Sequence, residues 1–217
     1  MRKLLLSIIA MLAFAGHLST AIAQDAKAGE KKAAMCIGCH GIAGYQASFP
    51  EIHKVPMIAG QSAKYIASAL SAYKKGERRH PTMRAIAGSL SDQDMADLAA
   101  FYSNEAKNVP ALAAKPDHEP SPEVVALLKK ANCASCHGDN FSKPIDPTYP
   151  KLAGQHPDYL YVALKAYQTQ NNPQVGRANP IMGGMSAAYT HAELKQLAQY
   201  IGSLQGELQT VQQSRFK

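Results

Sequence analysis

The pentapeptide Cys36-Ile37-Gly38-Cys39-His40 recurs as Cys133-Ala134-Ser135-Cys136-His137, and no other feature restricts this 217-residue chain so tightly. Two thiols on one turn can bond the two vinyl groups of a haem, and the imidazole beside the second thiol can reach its iron from the proximal side. Paired cysteines have two other uses, a redox-active disulfide and a structural zinc site. Ninety-seven positions separate Cys36 from Cys133, far more than the roughly 12 to 20 residues between the pairs of typical zinc modules. Neither rival use needs a His directly after the second Cys of both pairs. The chain therefore reads as a carrier of two covalently bound haem c groups. Cys36, Cys39, Cys133 and Cys136 attach them, and His40 and His137 ligate the irons.

Residues 1–23 read as a signal peptide. Arg2 and Lys3 precede an apolar run from Leu4 to Ala15, and Ala21-Ile22-Ala23 forms a small-x-small cleavage site. The run is about 12 residues, short of the about 20 that a membrane-spanning helix needs. A mature chain from Gln24, exported to the periplasm, is expected. That compartment is oxidising, but all four cysteines are committed to haem, so no disulfide remains and the haems must serve as core. Removing the leader takes two of 23 basic residues and none of 16 acids, leaving a net charge of +5. Four ionised propionates would offset most of that excess. With no interleaved basic and aromatic patch, nucleic-acid binding is not expected. Acidic partner proteins suit such a surface better, and it would also allow peripheral association with anionic lipid of the inner membrane.

The repeat extends beyond the cysteines. Val55-Pro56-Met57-Ile58-Ala59-Gly60-Gln61 answers Tyr149-Pro150-Lys151-Leu152-Ala153-Gly154-Gln155, and Tyr65 and Tyr73 answer Tyr159 and Tyr167, at an offset of 94. Met83 and Leu90 match Met182 and Tyr189 at an offset of 99. Two copies of one helical domain are expected at 24–103 and 121–205, joined by a proline-bearing linker at 104–120 and followed by a polar tail at 206–217 that frays. Apolar residues spaced by three and four predict helices over 62–75, closed by Gly76, and over 157–168. Ser121-Pro122-Glu123, Ser91-Asp92-Gln93-Asp94 and Thr190-His191-Ala192-Glu193 are helix openings. No run alternates convincingly as a strand.

The residue on the far side of each iron decides between carrying electrons and catalysis. A Met thioether there stabilises ferrous iron and raises its potential. Met83 and Met182 occupy matching places, read as loops before the last helix of each copy. Met185 competes with Met182, but the repeat puts apolar Ile86 opposite it. His80 competes with Met83, but Asn179 stands at its counterpart; His80 is therefore read as a surface residue, as are His53, His118, His156 and His191. Met35, Met57 and Met95 are read as packing. Pro56 and Pro150 are expected to offer backbone carbonyls to the second ring nitrogens of His40 and His137. The four repeated tyrosines suit haem edges or the seam between domains, and Arg79 and Arg177 can pair with propionates or stay solvated.

These motifs together resemble the cytochrome c4 family, exported dihaem proteins built from two class I cytochrome c domains. The resemblance covers the mature chain to about residue 204. It implies an all-α fold of two tandem domains related by pseudo-twofold symmetry, haems close to the interface, and His/Met ligation through Met83 and Met182. It also implies a monomeric, non-enzymatic carrier passing electrons from respiratory-chain donors to a terminal oxidase. The first copy departs from the pattern at Glu51 to Val55, where it is longer before its proline. Two other functions are compatible with the residues: the haem subunit of an enzyme complex such as a flavocytochrome sulfide dehydrogenase, and a dihaem peroxidase.

Overall fold

Ser91 and Thr190 start the closing helix of each repeat, and each does so with a complete capping box. The hydroxyl accepts from the backbone N–H three residues on, and the carboxylate of Asp94 or Glu193 accepts from the cap's own N–H. The computed structural model describes residues 23–109 and 111–212. The expected signal peptide, apart from Ala23, lies outside the described residues, as do Pro110 of the linker and the last five residues of the tail.

The first domain comprises α1 (Ala26–Lys32), α2 (Ala34–His40), a hairpin of β1 (Gln46–Ala47) and β2 (His53–Lys54), α3 (Ala63–Lys75), β3 (Arg78–Arg79), α4 (Pro81–Gly88) and α5 (Asp92–Glu105). The second comprises α6 (Pro122–Lys130), α7 (Ala134–His137), α8 (Pro157–Gln168), β4 (Gly176–Arg177), α9 (Pro180–Ala187) and α10 (His191–Ser203). Within the first domain α1 and α3 pack on α5, and within the second α6 and α8 pack on α10. Leu98 and Leu194, at 1% and 0% exposure, centre the two cores. Contact of α1 with α5 is close enough that a Cβ on Gly29 would lie 2.1 Å from the Asp97 carbonyl oxygen. Among the described residues no helix is long and apolar enough to cross a membrane.

The fold is two tandem helical domains, as the resemblance implies, with strand reduced to two-residue pieces. One pairing of these joins the domains: Arg78 lies opposite Arg177 and Arg79 opposite Gly176, antiparallel. The extra residues of the first copy form the β1–β2 hairpin, and this leans on the second domain. The Lys54 N–H donates to Asp158 at 3.0 Å, and Glu51 pairs with Lys165 at 2.7 Å.

Three expectations are corrected. The tail does not fray over its described part: Leu208 is buried, Gln209 bridges to Ala59 and Lys107 of the first domain, and Glu207 pairs with Lys151. His53 is not a surface residue but is 4% exposed, with Nδ1 on the Glu51 carbonyl. Met35, read as packing, is 53% exposed.

Candidate haem sites

Cys36 and Cys39 lie on the single short helix α2, while Cys133 begins α7 and Cys136 lies within it. All four thiols are half-buried and unpaired. Burial raises the pKa values of the Cys36 and Cys133 thiols.

His40 and His137 are the last residues of those helices. Nδ1 of His40 lies 2.9 Å from the Pro56 carbonyl oxygen and Nδ1 of His137 lies 3.2 Å from that of Pro150. A carbonyl can only accept, so each Nδ1 carries the proton and each Nε2 keeps its lone pair. Burial lowers both imidazole pKa values, against the opposing pull of the proline carbonyls, so the rings are neutral. This is the tautomer a metal-ligating imidazole needs, and the proline acceptors sit where the sequence suggested.

Met83 and Met182 are both half-buried, while Met185 is 42% exposed. Neither Met lies in a loop, contrary to the sequence reading. Each is the third residue of a two-turn helix, α4 or α9, opened by a proline at its first position. The cap of α4 is His80, whose Nδ1 accepts from the Met83 N–H at 3.5 Å. The cap of α9 is Asn179, whose Oδ1 accepts from the Met182 N–H at 2.9 Å. His80 is thus not a plain surface residue. It does for Met83 what Asn179 does for Met182.

Between the domains lies a cluster that the sequence reading only half named. Arg78 donates to the phenol oxygens of Tyr65 (3.1 Å) and Tyr159 (2.8 Å), and Arg177 donates to those of Tyr159 (3.1 Å) and Tyr167 (3.5 Å). Tyr73 lies under the Arg78 guanidinium, 4.7 Å from ring centre to Cζ. The repeated tyrosines therefore occupy the seam. Arg177 is not solvated, and its counterpart is Arg78 rather than Arg79. The offset of 99 that pairs Met83 with Met182 also pairs these arginines, a signal available in the sequence. For Tyr159 burial pushes the phenol pKa up, but the two guanidiniums outweigh it and bring it to about 8.

Do these residues fit the haems? Nε of Arg78 and Nε of Arg79 are buried with no hydrogen-bond partner. No carboxylate hydrogen-bonds or pairs with either seam guanidinium among the described residues. Two half-buried like charges without a counter-charge are costly, and acidic propionates would meet that demand. Unpaired thiols, neutral imidazoles with free Nε2 and anion-seeking guanidiniums are together the donor set of a covalent haem.

The comparisons agree with this geometry. The cytochrome c family pattern matches residues 26–104 and again 123–205. The chain is 30% identical over 208 residues to cytochrome c4 of Pseudomonas aeruginosa, covering 94% of this chain and 100% of that one. It is 31% identical over 196 residues to a thiosulfate dehydrogenase electron acceptor of Stutzerimonas stutzeri, covering 85% of each. The solved cytochrome c4 of Acidithiobacillus ferrooxidans superposes with a TM-score of 0.61 at 26% identity, covering 79% of this chain and 99% of that one.

Proposed function

This chain belongs to the cytochrome c family as a tandem, dihaem member of the cytochrome c4 type, and on that premise we propose that it is a periplasmic relay carrying electrons from respiratory-chain donors to a terminal oxidase. Two covalently bound c-type haems are its cofactors. Each haem supplies a one-electron couple, ferric to ferrous and back.

We assign attachment of the first haem to Cys36 and Cys39 and of the second to Cys133 and Cys136. His40 and Met83 ligate the first iron; His137 and Met182 ligate the second. The single observation that carries this is the reciprocal pair of proximal contacts, His40 on Pro56 and His137 on Pro150. These fix both rings and leave one nitrogen of each free for metal. The capped helices α4 and α9 hold the two thioethers, and the half-buried Met182 is favoured over the exposed Met185. Arg78 and Arg177 take the propionate charge at the seam. With both axial positions filled by protein, no place remains for a substrate, which favours a carrier over a peroxidase.

A second reading has its own support. The relative named a thiosulfate dehydrogenase electron acceptor is 31% identical over 85% of this chain, beside 30% over 94% for cytochrome c4. On that reading the immediate donor is a sulfur-oxidising dehydrogenase and the chain its haem-bearing partner.

An absorption spectrum with redox titration of the purified holoprotein tests the assignment. The expected result is two low-spin haems whose oxidised forms show the weak far-red band of Met ligation. Met83→Ala and Met182→Ala should each abolish that band for one haem, while Met185→Ala leaves it intact. Rapid uptake of carbon monoxide or peroxide by the wild type would overturn the carrier reading. Stable copurification with a sulfur-oxidising dehydrogenase would select the second.

A further inference from the structure

The repeated Ala-Gly-Gln segments end in two glutamines, Gln61 and Gln155, each only 4% exposed. Neither is used by its own domain's haem site. Oε1 of Gln155 accepts from the Met57 N–H at 3.0 Å, and its Nε2 donates to the Met57 carbonyl at 2.8 Å. Oε1 of Gln61 accepts from the Lys151 N–H at 2.9 Å, and its Nε2 donates to the Lys151 carbonyl at 3.0 Å. Each Oε1 also accepts from the next residue's N–H, Ser62 or His156, at 3.0 Å, which fixes the amide orientation.

Met57 and Lys151 follow Pro56 and Pro150. The peptide group whose carbonyl accepts from His40 is therefore the same group whose N–H donates to Gln155 of the other domain. Likewise the Pro150–Lys151 peptide accepts from His137 and donates to Gln61. Hydrogen bonds in series polarise one another. A peptide whose N–H is engaged has a more negative oxygen, draws harder on the imidazole N–H, and makes that ring a stronger electron donor to its metal.

We propose that Gln155 tunes the haem on His40, and Gln61 the haem on His137, each acting across the seam through one shared peptide group. They are positioning residues that touch neither metal nor haem. Docking of the two domains thereby lowers both reduction potentials, so the potentials of the assembled relay depend on the seam. The inference rests on the ligation by His40 and His137 proposed above.

The test is redox titration of the holoprotein, with the two haems distinguished by the ring-current-shifted NMR signals of their ligating methionines. In Gln155→Leu the haem on His40 should rise in potential, with about a threefold change in the ratio of reduced to oxidised haem at fixed ambient potential. That corresponds to about 30 mV for a one-electron couple. The haem on His137 should stay put, and Gln61→Leu should give the mirror result. Gln155→Glu keeps an acceptor for the Met57 N–H and adds negative charge to it, so it should shift the same haem the opposite way; it also serves if the leucine variant does not fold. A shift confined to the haem of the substituted glutamine's own domain, equal shifts in both, or none would overturn the proposal. A spectrum without His/Met-ligated haem would instead overturn the ligation beneath it.

Discussion

His80 and Asn179 stand at matching positions of the two repeats and share one task, closing the first turn of the helix that carries the ligand methionine. Asn is among the best residues for this and His a weaker one, in keeping with cap distances of 2.9 and 3.5 Å. His80→Asn should therefore keep or raise the thermal stability of the first domain and leave its far-red band unchanged. Asn179→Ala should cost about 1 kcal/mol, a usual figure for a lost cap, and weaken that band for the second haem alone. Chemical denaturation and the oxidised spectrum measure the two effects; equal weakening of both haems by Asn179→Ala would contradict the assignment. At this scale the attachment residues were legible in the sequence, because Cys-x-x-Cys-His declares its own chemistry. The caps were not, because a His or Asn before Pro reads as easily as a loop, and an eight-residue helix has too few turns to show a period.

Helix α1 is held to α5 by packing and by charge. Gly29 admits the Asp97 backbone, while Lys32 reaches both Asp94 and Asp97 at 2.7 Å. Asp94 is shared, since it also completes the capping box of α5. The hydrogen bond from Lys32 is the leading cause that holds both carboxyl pKa values below their usual range. A carboxyl depressed in the folded chain binds fewer protons there than when unfolded. Its stabilisation is thus complete above the ordinary value near 3.8 and is lost as pH falls through the lower folded value. Acid should loosen α1 from α5, and Lys32→Met should move the acid unfolding midpoint, followed by far-UV circular dichroism, to higher pH. No movement would mean that packing at Gly29 alone secures the contact. Helix α5 was legible from its opening at Ser91-Asp92-Gln93-Asp94. The break at Ala33 between α1 and α2 was not, since no Gly or Pro marks it.

The repeat told that there are two domains, but repetition alone does not say whether a recurring residue faces its own copy or the other. Gln61 and Gln155 each bond across to the other copy, and Tyr159 accepts from the arginines of both, while Tyr65, Tyr73 and Tyr167 meet the arginine of their own copy at the same seam. The departures from symmetry sit outside that centre. They are the β1–β2 hairpin, which leans on α8, and the tail, which returns from the second domain to run beside Ala59 and Gly60. Gly60 has φ of +83°, and a Cβ there would lie 2.7 Å from the Glu207 carbonyl oxygen, so the glycine is needed both for its turn and for the tail's passage. Composition hid this role, since a polar segment after the last helix looks dispensable. Leu208 within it is buried, and full burial of a leucine is worth about 1.5–3 kcal/mol. A chain ending at Gly206 should lose stability on that order, and the loss should fall between the domains rather than within the second. Calorimetry should then resolve the unfolding of the holoprotein into two transitions, and small-angle scattering should show a larger radius of gyration despite the shorter chain. If the crossed tuning by the glutamines holds, both haem potentials should rise together in this variant, because the same opening stretches both relays. An unchanged scattering radius with unchanged potentials would mean that the Arg–Tyr cluster and the hairpin hold the seam without help from the tail.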